Sequence, residues 1–361
     1  MLCTSLVEKG FSVEVIAAAS DGGSTREEVI DGVRVHRLAV KANISSTPIT
    51  LGLPRLLRRM RDDFDLLHFN FPYPWTDVLY LAMAQNHKAV LTYHSDIFRR
   101  SGTFSGRLLQ MYQPCIHAVL RRMPAIIATS PNIVEKSPFL FPNRDRCRVI
   151  PMPVDSQFFN PIDQSELDSV CKRYGHYILF VGRLVSYKGL SFLIEACAKL
   201  KDTNLVIVGH GPLEESHRSL VKKRGLLDRV FFLGHVSDAE RLLLYHGCLC
   251  FALPSISHAE GFGIVQAEAM ACAKPVISTE LGTGTSYVNQ DGITGFVVEP
   301  ENAGALADKI DVLIDDEVLR RKMGERGLQR VRKEFTREKV VDQTIDLYAD
   351  VLAGRNVAES R

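Results

Sequence analysis

What most constrains this chain is a rhythm that runs through it twice. Short apolar runs at residues 11–19, 33–38, 66–69, 89–93 and 125–129 are separated by turns or by stretches long enough for a helix. The rhythm restarts at 177–181 and continues through 204–208, 230–233, 248–253 and 275–278. Strands that alternate with helices build parallel sheets, since a parallel neighbour is reached only through a crossover connection. Between the two rounds lies Ile150-Pro151-Met152-Pro153-Val154-Asp155, whose prolines disfavour helix and mark a crossing near Val154. The spacing therefore predicts two α/β domains, residues 1–154 and 155–335. From 336 to 361 the chain reads as an amphipathic helix, with Val340, Val341, Thr344, Ile345 and Tyr348 on one face. That helix is expected to pack back across both domains.

Length and charge agree with this and exclude other classes. A chain of 361 residues is longer than one hydrophobic core usually organises, so two domains with a cleft between them are expected. It contains no run of about 18 apolar residues, the length a membrane-spanning helix needs. The formal charge of +2 is uneven: residues 1–160 carry 19 Lys+Arg against 14 Asp+Glu, the remainder 25 against 28. That basic surplus is too small and scattered for a nucleic-acid stripe. The eight cysteines, Cys3, Cys115, Cys147, Cys171, Cys197, Cys248, Cys250 and Cys272, include no C-x-x-C pair and read as reduced core thiols. With no charged-then-apolar leader, the expected compartment is the cytoplasm.

Two constellations carry chemistry. In His258-Ala259-Glu260-Gly261-Phe262-Gly263, followed by Glu268, glycines stand at a loop-to-helix junction with one carboxylate before it and one about two turns into the helix. Glycines there let backbone N–H groups approach a polar ligand, and the helix N-terminus favours negative charge. Taken alone, the pair also reads as a solvated loop acid and an unrelated helix acid. In the second, Gly182-Arg183-Leu184-Val185-Ser186-Tyr187-Lys188-Gly189 follows an apolar strand, so two cations stand where open α/β sheets bind diphosphates. Surface cations on a loop are usually just solvated, which is the bland alternative. Gly209-His210-Gly211-Pro212 again puts glycines after a strand, as a phosphate turn or a plain one.

In this order the pieces resemble glycosyltransferase family 4, retaining enzymes of the GT-B fold with two Rossmann-like domains facing across a cleft. The matching segments are V-G-R-L-V-S-Y-K-G-L, I-V-G-H-G-P, the E-x7-E segment, and G-T-G-T-S-Y-V-N-Q-D-G-I-T-G-F-V-V at 282–298. The resemblance implies that Arg183 and Lys188 hold the donor diphosphate, with Gly182, Gly209 and Gly211 beside it. It implies that Glu260, with the backbone of Gly261, Phe262 and Gly263, meets the donor sugar, that Glu268 meets the ribose, and that His235 and Val236 pass beside the base. Thr92-Tyr93-His94-Ser95-Asp96 is similar to the family's T-x-H-D segment, which puts His94 over the donor sugar and leaves Asp96 displaced by one residue. Without the family, His94 reads as a histidine closing a strand. The implied donor is a nucleotide sugar, GDP-linked or else UDP-linked, with no metal and no other cofactor. Within the family, N-F-P-Y-P-W-T-D and T-Y-H-S-D-I look most like bacterial mannosyl- and D-rhamnosyltransferases that build O-antigen on a lipid carrier, so the implied acceptor is a glycan or polyprenyl-linked sugar.

At its front the sequence departs from the family. Residues 1–10 read as the last turns of a helix ending at Gly10, so the amino-terminal domain has no counterpart of the family's first strand and glycine-rich turn. Downstream, Leu53, Leu56, Leu57 and Met60 recur at helical spacing with Arg55, Arg58, Arg59 and Arg61 beside them, and Arg99 and Arg100 follow on a later loop. Such a helix either rests peripherally on an anionic membrane or covers its own sheet. Other classes fit less well. Asp63-Phe64-Asp65 precedes a strand rather than following one, as a metal-binding D-x-D would. No G-x-G-x-x-G opens the first strand turn, as an NAD enzyme requires. A phosphorylase of the same fold would need a lysine-linked pyridoxal site, for which there is no signal. A sugar-nucleotide-binding protein without activity remains as the alternative function.

Overall fold

The computed structural model describes residues 1–19, 21–44, 47–84, 86–97 and 104–355. The chain forms two compact units. Met1–Thr129, Val134–Ile150 and Arg337–Arg361 make the first, Ser130–Ile133 and Pro151–Thr336 the second. The chain thus crosses between units at 129/130, 133/134, 150/151 and 336/337. The carboxy-terminal helix Arg337–Leu352 packs into the first unit: its Val340, Leu347 and Val351 share a core cluster with Val90, Ala125, Ile127 and Ile150.

The first unit has its strands in separate sheets. β1 (Glu14–Ala18) pairs parallel with β3 (Val33–Leu38), and β2 (Arg26–Ile30) pairs antiparallel with β3 across a turn at Asp31 and Gly32, both at positive φ. β4 (Ala42–Ile44) and β5 (Thr47–Ile49) form a hairpin. β6 (Leu67–Phe71), β7 (Ala89–Tyr93), β8 (Ala125–Ala128) and β9 (Cys147–Val149) form a parallel sheet in that order. Among the described residues, β1 and β6 each have one edge without a strand partner. Residues of both strands line one cavity of about 260 Å³, with Leu38, Leu53, Leu57 and Leu79 also in its wall.

The helix Leu53–Met60 decides one expectation. Leu53, Leu57 and Met60 are buried and Arg55, Arg58 and Arg59 are exposed, so the apolar stripe covers the helix's own core. It is therefore not available for insertion into lipid, and only the arginines face solvent. Arg99 and Arg100 lie outside the described residues. Among the described residues no helix is long and apolar enough to cross a membrane.

The second unit carries one continuous parallel sheet of six strands. β10 (Tyr177–Val181), β11 (Asn204–Val208), β12 (Val230–Gly234), β13 (Cys250–Leu253), β14 (Val276–Thr279) and β15 (Gly295–Val298) run in the order β12-β11-β10-β13-β14-β15. Tyr177, Leu179 and Val181 enter one core cluster, while Ile178 and Phe180 enter another on the opposite face. Apolar residues at consecutive positions are what a strand covered by helices on both faces requires. Because all strands run the same way, the loops after β10, β11, β12 and β13 leave from one edge of the sheet.

Candidate active site

Close backbone approach stitches those loops together. Gly182 N donates to Val208 O at 3.0 Å, Gly209 N to Gly234 O at 2.8 Å, and Leu184 N to His210 O at 2.9 Å. Gly209 has φ +121°, and a Cβ there would lie 2.2 Å from the Gly182 carbonyl oxygen, so only glycine fits. Gly211 is as tight, its hypothetical Cβ 2.3 Å from Leu184 O. Gly209 and Gly211, two of the three glycines expected beside the diphosphate, thus have a packing reason of their own.

The loop after β10 ends in a short 3-10 turn, Ser186–Lys188, and Gly189, at φ +64°, starts the helix Leu190–Cys197. A Cβ at Gly189 would lie 2.0 Å from Pro254 O, and Ile256 N donates to Tyr187 O at 2.8 Å, so the turn is pressed onto the loop after β13. This brings the two expected charges together: Lys188 Nζ lies 2.6 Å from Glu260 Oε2, with both side chains about nine-tenths buried. Ser255 Oγ donates to the same Oε2 at 2.8 Å, and Thr279 Oγ1 bonds the Ser255 carbonyl. Glu260 Oε1 accepts no hydrogen bond among the described residues. Arg183, on the same loop as Lys188, is exposed and makes no ion pair among the described residues. The site thus holds one committed cation and one uncommitted one, a distinction that motif spacing does not make.

The helix Ile264–Ala271 starts at Gly263, with Gly261, Phe262 and Gly263 buried. Gly261 O accepts from Gly284 N at 2.6 Å, and the Phe262 ring packs edge-on to Phe335, so that side chain serves the core. Glu268, half-buried, accepts from the fully buried Tyr245 hydroxyl at 2.8 Å. Burial pushes its carboxyl above the usual range, opposed by Arg241 and by the Tyr245 bond. His235 is exposed, Val236 is packed against the core, and His235 N donates to His210 Nε2 at 3.1 Å.

His94 belongs to the first unit. Its backbone N–H extends the β6–β7 ladder to Phe71 O, and its Nε2 lies 3.0 Å from Asn70 Oδ1. An oxygen acceptor there requires the proton on Nε2, and burial lowers the imidazole pKa, so the ring is neutral with Nδ1 as its acceptor. Asp96 is held back by the Tyr93 hydroxyl at 2.5 Å and the Ser137 hydroxyl at 2.6 Å. Sequence reading passed over Ser255, Thr279, Tyr245, Arg241 and Asn70. Only Asn70 stood in a quoted motif; Ser255 lies just outside one, five residues before Glu260, and Thr279, Tyr245 and Arg241 are more than twenty residues from the groups they support.

Residues 1–158 match the family described as Glycosyltransferase Family 4, and residues 172–330 match Glycosyl transferases group 1. The O-antigen chain mannosyltransferase C of Escherichia coli is 33% identical over 321 residues, 87% of this chain and 82% of that protein. The chain belongs to glycosyltransferase family 4. The D-rhamnosyltransferase WbpZ of Pseudomonas aeruginosa is 32% identical over 338 residues, covering 93% of the enzyme and 86% of that relative. Among solved structures, the sucrose-phosphate synthase of Thermosynechococcus elongatus superposes with a TM-score of 0.81 at 24% identity, covering 98% of the glycosyltransferase and 92% of that chain. That likeness shows the GT-B fold of two Rossmann-like domains.

Proposed function

We propose that the enzyme moves a hexose, mannose or D-rhamnose, from a GDP-sugar to a glycan or polyprenyl-linked acceptor of O-antigen, with retention and without a metal. The observation that carries this reading is the extent of likeness to a mannosyl- and a D-rhamnosyltransferase, each matched over more than four fifths of both chains. In this mechanism the acceptor oxygen bonds the anomeric carbon on the face the diphosphate leaves. The carbon–oxygen bond to the diphosphate breaks, and a diphosphate oxygen takes the acceptor's proton. Arg183, exposed and without a carboxylate partner among the described residues, takes the charge that develops on the leaving group. Lys188 fixes Glu260 through Oε2, which leaves Oε1 for a sugar hydroxyl. Glu268, oriented by Tyr245, accepts from the ribose, and His94 offers Nδ1 to the sugar. The reaction takes place in the cytoplasm, with peripheral contact to anionic lipid through Arg55, Arg58 and Arg59.

Incubation with GDP-mannose, GDP-D-rhamnose and UDP-glucose, each with and without chelator, tests the reading. Transfer from a GDP-sugar, a product that keeps the donor's anomeric configuration by NMR, and indifference to chelator are expected. Transfer from UDP-glucose alone overturns the donor assignment, an inverted product overturns retention, and metal-reversible loss of activity overturns the metal-free chemistry.

A further inference from the structure

Between the loop that carries Arg183 and the loop that carries His235 stands a residue with no role in the reading above. The His210 carbonyl accepts Leu184 N at 2.9 Å, which fixes it to the Arg183 loop. Its ring Nε2 accepts the main-chain N–H of His235 at 3.1 Å, and its Nδ1 lies 2.9 Å from Glu214 Oε2. Gly234, at φ +68°, lies against the ring: a Cβ there would come within 2.5 Å of the imidazole. An Nε2 that accepts a backbone N–H leaves Nδ1 as the protonated nitrogen, aimed at the Glu214 carboxylate. Glu214 is in turn held by Arg218 at 2.8 Å. The imidazole is exposed, so burial does not hold it in place; its two ring bonds and the bond to its main-chain carbonyl do.

We infer that His210 is a positioning residue for the nucleotide, setting the spacing between the arginine that meets the diphosphate and the His235–Val236 main chain that flanks the base. The inference rests on the donor reading above. It gives Glu214 a role as the group that selects the working tautomer.

Calorimetric binding of GDP and UDP to the full chain, with donor KM and kcat, tests this on His210→Ala, His210→Gln and Glu214→Gln. Losing the main-chain bond should weaken nucleoside diphosphate binding and raise donor KM about tenfold in His210→Ala, with kcat within about twofold. His210→Gln, whose amide oxygen can accept the same N–H, should recover most of the loss, and Glu214→Gln should fall between. Wild-type affinity in His210→Ala, no recovery by His210→Gln, or a fall in kcat at unchanged KM overturns the inference alone. Failure of the wild type to bind either nucleotide overturns the donor reading and the inference together. Should His210→Ala fail to fold, the contrast of His210→Gln with Glu214→Gln in nucleotide affinity and donor KM decides the matter.

Discussion

The two units use the same alternation of strand and helix and arrive at different sheets. In the second, six parallel strands are continuous and every residue of β10 is buried. In the first, β1 is only half-buried at every position, and it stands across a cavity from β6 rather than joined to it by a strand. A continuous sheet holds the loops that leave its edge at fixed separations, which is why backbone approaches as close as those of Gly209 and Gly189 can be sustained there. Where the sheet is interrupted, the strand edges beside the gap are held from one side only.

The comparison is broken or sharpened first at the two cations of the second unit. Arg183→Ala should lower kcat/KM by about 10²- to 10³-fold, the loss of one charge-assisted contact in the transition state, with little change in stability. Lys188→Ala should do the same and also unfold more easily by about 3 to 5 kcal/mol, because it strands Glu260 in a buried position. Equal melting temperatures for the two variants would show that the pair does not hold the site; near-full activity removes Arg183 from the diphosphate, or Lys188 from the support of Glu260.

Hydrogen exchange compares the sheets directly. Amides of β10 and β11 should open only with global unfolding of their unit, whereas those on the free edges of β1 and β6 should exchange orders of magnitude faster by local opening. Equal protection would mean that the gap does not weaken the first unit.

Asp77 gives the first unit its own pH dependence. It is buried, bonded to the Tyr112 hydroxyl, and burial raises its carboxyl to about 7. From about pH 4 to 7 the unfolded chain has lost this proton while the folded unit keeps it, so the group's contribution to stability falls as pH rises and is level above 7. Asp77→Asn should stabilise the first unit by on the order of 2 kcal/mol at pH 8 and not at all at pH 4. Trp75, the single tryptophan and a member of the same helix, reports this unit's unfolding by fluorescence. A stabilisation independent of pH would remove burial of the charge as its cause.

The smallest effect is expected at the arginines of the helix Leu53–Met60. Changing Arg55, Arg58 and Arg59 to Ser should reduce sedimentation with anionic vesicles, each residue contributing at most about 1 kcal/mol, and leave stability unchanged because none is buried. Equal pelleting with neutral and anionic vesicles would end the membrane reading.

Several strands were legible end to end: 33–38, 89–93, 177–181 and 204–208 coincide with β3, β7, β10 and β11. Apolar, β-branched runs that fill a sheet interior announce themselves. Arg26–Ile30 did not, because an exposed edge strand carries the polar sequence of a loop and is made a strand by its neighbour. Cys147–Val149 and Gly295–Val298 are too short for any period to register. At the site, the residue types and their order along the loops were readable. The pairing of Lys188 with Glu260 was not, nor the support from Ser255 and Tyr245.

By itself, then, the sequence determined what is local and periodic: which runs become buried strands, which loops carry cations and carboxylates, and, through its motifs, membership of glycosyltransferase family 4. The tertiary structure alone decided which charge is committed and which is free, which face of the helix Leu53–Met60 is buried, and that the carboxy-terminal helix completes the first unit's core. The reason is physical. Propensity and periodicity act over a few residues, whereas an ion pair spanning 188 to 260, or an interruption between 18 and 67, depends on where the chain returns.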